Sequence, residues 1–147
     1  MADANYTQLD IDSVARIGLL YLDGDSFEDV LLDAYGHVDY DFDNFNRCKT
    51  SLMLLQRINP ALEVAAILWQ RRPDNPAMAV PLVASGSLPL EGHGISPISP
   101  ELGAALSGQW GVVRNRAEGV SRYYPVKNSD GEIVGALELL QGPRTDI

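Results

Sequence analysis

At 147 residues the chain is long enough to bury one substantial core and short for two. Hydrophobic residues at 46% and charged residues at 21% exclude wholesale disorder. The net charge of -9 is uneven: residues 1–43 carry 11 Asp and Glu against Arg16 alone, and the rest carry 9 acids against 10 bases, a distribution that repels nucleic-acid backbones and anionic lipid at the acidic end.

The apolar runs, such as Val64 to Trp69, fall far short of the roughly 20 residues that cross a bilayer, so no membrane insertion is expected. The start, MADANYTQLD, has neither the basic residues nor the apolar stretch of a signal peptide. A cytoplasmic protein or an excised soluble domain is expected, and the single cysteine, Cys48, fits a reducing compartment. The chain reads as one domain, 1–147, with an acidic helical segment over 1–40 and a core over 41–147.

In chain order, Ile11 to Leu22 and Phe27 to Tyr35 are short helices, the second capped by Asp25 or Ser26, although IGLLYL also suits a strand. From Asp41 to Ile58, Phe42, Phe45, Cys48, Leu52 and Leu55 recur at spacings of three or four, which predicts an amphipathic helix that Asp41 caps and Asn59-Pro60 closes. The period then changes to that of strands. Leu62 to Gln70 and Met78 to Ser85 are strands joined by the RRPDNPA turn, with Pro81 pointing to a sheet edge. Gly86 to Pro97 is a loop, and Ser99-Pro100-Glu101 starts a short helix that ends near Gly108. Strands follow at Trp110 to Arg114, Val120 to Val126 and Ile133 to Leu140, the last two joined through NSDG. The order predicts an α+β domain: an antiparallel sheet of about five strands packed on a long N-terminal helix.

Strand alternation puts Arg122 and Tyr124 on one face with Val126, and Tyr123 on the other. A turn of two residues (Asp130-Gly131) or four (Asn128 to Gly131) pairs even positions of the first strand with odd positions of the second. Ile133, Leu137 and Leu139 then join the Arg122 face, while Val134, Ala136 and Glu138 join Tyr123. A guanidinium on an apolar face must reach solvent, a carboxylate or a bound anion. The last option makes Arg122 and Tyr124 candidate ligand contacts, with Trp69 as an aromatic wall and Arg114 and His93 as further contacts.

From Tyr124 to Leu137, YPVKNSDGEIVGAL resembles the closing hairpin of Cache and PAS-like sensor domains: a proline, alternating apolar and polar residues, Asp-Gly at the turn, then apolar residues around a glycine. The element order from Asp41 onward also looks like a single-Cache unit. That resemblance implies a small molecule bound between the sheet and its loop-helix insertion, and a homodimer formed through the N-terminal helix. A second stretch, YLDGDSF with DAYGH and Asp41, is similar to the Asp-rich series of diguanylate cyclase domains. It departs from that series at Leu32 and Tyr40, has one residue inserted, and lacks the later Gly-Gly-Asp/Glu-Glu-Phe turn, so cyclase activity is not expected.

Other chemistry finds little footing. Asp39, Asp41 and Asp43 alternate as in a calcium loop, but Asn44 and Thr50 occupy the positions that need Gly and Glu. His37 and His93 have no metal-ligating neighbours at ligand spacing, no glycine loop cradles phosphate, and Ser85 lacks a nucleophile elbow, so neither metal nor cofactor is expected. Cys48 falls on the apolar stripe of its helix, as a structural thiol does. The expected function is a non-enzymatic sensory or regulatory domain that binds a small ligand, anionic or neutral, and signals through a dimer. The alternative is an acidic adaptor without a pocket, docking its N-terminal segment on a basic protein.

Overall fold

The structure, a computed structural model, describes residues 3–29, 42–59, 62–72, 75–85, 96–117 and 119–142. Helix α1 (Asp3–Tyr21) is followed by helical residues 24–29 (α2) and by α3 (Phe42–Ile58). Strands β1 (Val64–Arg71), β2 (Met78–Ala84) and the two-residue β3 (Ser96–Pro97) precede α4 (Pro100–Leu106). Strands β4 (Val112–Arg116), β5 (Gly119–Lys127) and β6 (Ile133–Gln141) are the remaining elements among the described residues. The six strands form one sheet in the order β3-β2-β1-β6-β5-β4, with every pairing antiparallel. The α+β class is therefore as read from the sequence. The strand count differs by the short β3, and two helices rather than one form the covering layer.

Ile11, Val14, Ala15 and Leu22 of the α1 segment and Cys48, Leu52 and Leu55 of α3 are buried at helical spacing. They cover one sheet face, where Val64, Ala66, Leu68, Tyr124, Val126, Leu137 and Leu139 complete the larger core. On the opposite face Ile67, Trp69, Ala79, Tyr123 and Ala136 pack against Leu102 and Ala105 of α4. Strand β1 is buried on both sides, so its sequence shows no alternation. Pro81 lies opposite Trp69 beside a register shift, on a stretch of β2 that β3 does not reach, because β3 pairs only with Met78 and Ala79.

Local chemistry corrects several expected boundaries. The segment from Ile11 is helical rather than a strand, and its helix begins at Asp3. Asp23, not Asp25 or Ser26, caps α2: its carboxylate accepts from the amides of Asp25 (3.0 Å) and Ser26 (3.3 Å) and from the Ser26 hydroxyl (3.0 Å). These bonds hold the Asp23 carboxyl below its usual range, the Ser26 hydroxyl contributing most. Asp25 instead accepts from the Ser129 amide at 3.0 Å, tying α2 to the tip of the last hairpin. Gly24 allows this approach, since a Cβ there would lie 1.9 Å from the Lys127 carbonyl oxygen. The DGDSF stretch thus has a structural role, finished by Phe27, which is fully buried. His37, Asp39, Asp41 and the remainder of the expected second helix lie outside the described residues, as does most of the Gly86 to Pro97 loop.

The final hairpin reaches the expected parity by another route. Asn128 N–H donates to the Glu132 carbonyl (2.9 Å), and Gly131 has φ +82, so the loop is the three residues Ser129 to Gly131. Such a loop pairs odd with odd, as in Lys127↔Ile133, until a register shift at Val126 makes Val134 the extra residue. Beyond it Arg122 pairs with Leu139 and Tyr124 with Leu137, as the alternation demanded. Val134, displaced by the bulge, packs with the larger core instead of joining Tyr123.

Candidate ligand cleft between the sheet and the short helix

Glu138 is fully buried in the middle of β6, opposite Tyr123 on one side and Ile67 on the other. Isolating a carboxylate from water costs several kcal/mol, roughly, unless its oxygens are satisfied. Here three donors converge. Trp69 Nε1–H donates to Oε1 at 2.8 Å, Arg116 Nη1 reaches Oε2 at 3.0 Å, and the Ser121 hydroxyl also donates to Oε2. The sheet supplies all of them, from β1, β4 and β5, on the face turned toward α4.

Above this buried charge lies a cleft of about 390 Å³, lined by Trp69, Tyr123, Arg114, Arg116, Leu102 and residues 96–99. It falls toward the lower end of the size range of small-molecule sites, about 300–1,000 Å³. Its lid-side wall is α4, fixed by Ser99, whose hydroxyl oxygen accepts from Leu102 N–H at 3.1 Å, and by Pro100 in the first turn. Alternation on β4 turns Arg114 and Arg116 to the cleft with Val112.

The two arginines differ in state. Arg116 forms a close ion pair with a fully buried partner, whereas Arg114, with 40% of its side chain exposed, meets Glu101 only at 3.9 Å. Arg114 also bonds the Tyr123 hydroxyl, which raises its pKa, with Glu101 and Glu138 adding to the effect. Burial raises the Tyr123 pKa, and the nearby Glu138 charge pushes it the same way. The cleft therefore presents a neutral phenol and a permanent cation over aromatic walls. Arg114 has guanidinium surface left for an anion.

Of the residues expected to bind, Trp69 and Arg114 meet in this cleft. Arg122 and Tyr124 do not. They lie on the opposite face, under α1, so Trp69 is no wall for them. Arg122 is buried, at 8% exposure, and Tyr124 donates its hydroxyl proton to Asp12 Oδ1 of α1 at 2.7 Å. Burial first, and then that bond, raise the Tyr124 pKa. Trp110, outside β4 rather than within it, meets Tyr124 edge-on at 4.7 Å, and the Arg16 guanidinium sits 5.5 Å from its ring centre. His93 lies outside the described residues. Glu138, Tyr123 and Arg116 were missed, although a lone glutamate inside IVGALELL, on the parity of Tyr123, was a readable signal.

Among the described residues no helix is long and apolar enough to cross a membrane, and no three His, Cys, Asp or Glu side chains gather as a metal site. No protein-family model matches the chain, and no curated protein matches its sequence.

Proposed function

We propose that this chain is a non-enzymatic sensory or regulatory domain of Cache/PAS-like type, which takes a small anionic ligand into the cleft between the sheet and α4. The observation that carries the reading is the juxtaposition of Arg114 and Tyr123 with Trp69 over the satisfied, buried Glu138. A carboxylate bound there pairs with Arg114, while its apolar part rests on the two rings. Supporting the reading is the element order: helices, two long strands and the two-residue β3, a short helix on the sheet, then three strands.

Signal passes from α4, a wall of the cleft, through the turn that follows it to Trp110, and from Trp110 to Arg16 on α1. Helix α1 carries Ile17, Leu20 and Tyr21 at 40%, 81% and 67% exposure, an apolar stripe that supports pairing of two copies through this helix. The test is thermal-shift screening of a panel of small carboxylic acids. Stabilisation that Arg114→Ala removes and Arg122→Lys leaves in place is expected. A panel with no hit favours the acidic adaptor, and hits indifferent to Arg114→Ala would overturn the cleft as the binding site.

A further inference from the structure

A second hollow lies beside the outer edge of β5, apart from the cleft, and shares with that reading only Trp110. β4 begins at Val112, opposite Tyr123, so among the described residues no strand pairs with the outer edge of 124–127 in β5. Pro125 suits such an edge, having no N–H to leave unpaired. Instead of a strand, the space beside this edge is a hollow of about 310 Å³ lined by Leu19, Leu22, Gly108, Trp110, Pro125, Val126 and Lys127.

Three features define what it accepts. Leu19, Leu22, Pro125 and Val126 supply apolar walls. Trp110 supplies an aromatic one: 40% exposed, it is braced by Tyr124 and by Arg16 rather than folded into the core, so its ring is a fixed surface. Among the described residues of the lining, Lys127 is the charged group and no acid joins it. Gly108, at φ +107, keeps the lip free of a side chain.

We propose that this hollow is a second binding site, for a small aromatic monoanion whose rings stack against Trp110 and whose acid group meets Lys127. It is independent of the cleft, so either site can fail without the other. Because Trp110 also contacts Arg16 of α1, an occupant here touches the same helix that the cleft addresses through α4.

The two tryptophans make the test direct, since Trp69 lies in the cleft and Trp110 in the hollow. The intact chain is titrated with 2-naphthoate and with neutral naphthalene-2-carboxamide while the two indole N–H resonances are followed; Trp110→Phe, at an exposed position, assigns them. The Trp110 resonance should shift saturably and that of Trp69 should stay. The carboxamide should bind about two- to fivefold more weakly, the range for one exposed charge contact, and Lys127→Gln should erase that advantage. Equal affinity for both compounds, a shift at Trp69 alone, or no saturable shift would each overturn the proposal.

Discussion

Replacing Glu138 by leucine removes the acceptor that three donors share, and the cost follows from where each donor is left. Trp69 is 6% exposed, so leaving its N–H without an acceptor costs about 1–3 kcal/mol. The Ser121 hydroxyl, also buried, can rotate toward another acceptor and should cost about 1 kcal/mol. Arg116 keeps 19% of its side chain exposed, so it can turn outward and lose only part of the about 3–5 kcal/mol that a stranded buried charge forfeits. Glu138→Leu should therefore destabilise by about 3–4 kcal/mol, read as a lower urea midpoint at unchanged slope. Adding Arg116→Met removes the stranded cation, so the double variant should be more stable than the sum of the two single losses by about 1 kcal/mol or more. A single loss below about 1 kcal/mol, or strict additivity, would refute the view that these groups form one satisfied unit.

Two further outcomes follow from the packing. Gly24→Ala drives a methyl against the Lys127 carbonyl and should cost about 1–3 kcal/mol, with hydrogen-exchange protection lost first at Ser129, whose amide Asp25 holds; an unchanged stability would show that the hairpin tip is not docked on α2. Burial, helped by the Asp23 charge, pushes the Cys48 thiol up to about 12 from an ordinary value of 9.0, so its contribution is whole below pH 9 and drains away as pH rises through 12. The native chain should resist thiol reagents at neutral pH, and Cys48→Ala should flatten the alkaline limb of the stability curve; rapid labelling of the folded protein would contradict this.

Hairpin alternation was legible because a period of two is imposed by the backbone itself. It put Arg122 on the apolar face and Glu138 beside Tyr123 without knowledge of any other strand. The side of the sheet on which Trp69 falls was not legible. Its strand is apolar on both faces, and its neighbour Ala136 is far along the chain, so nothing local distinguishes one side from the other. Capping by Asp23 was hidden for a different reason: three candidates, Asp23, Asp25 and Ser26, stand within four residues, and only the docking of Ser129 onto Asp25 divides their tasks. The bulge at Val134 left no mark at all, because a glycine loop of three residues and one of two or four are written with the same letters.

The middle of the sheet joins the first strand to the last, Val64 to Gln141 and Trp69 to Ala136. On the ribosome, β1 and β2 can form a hairpin early, but its open side waits until β6 has emerged, and the larger core stays unroofed meanwhile. High sequence separation between paired residues predicts slow folding, with β5 and β6 zipping first around the Ser129 to Gly131 loop and then capturing β1. Chains cut short before Ile133 should be recognised by chaperones as unfinished.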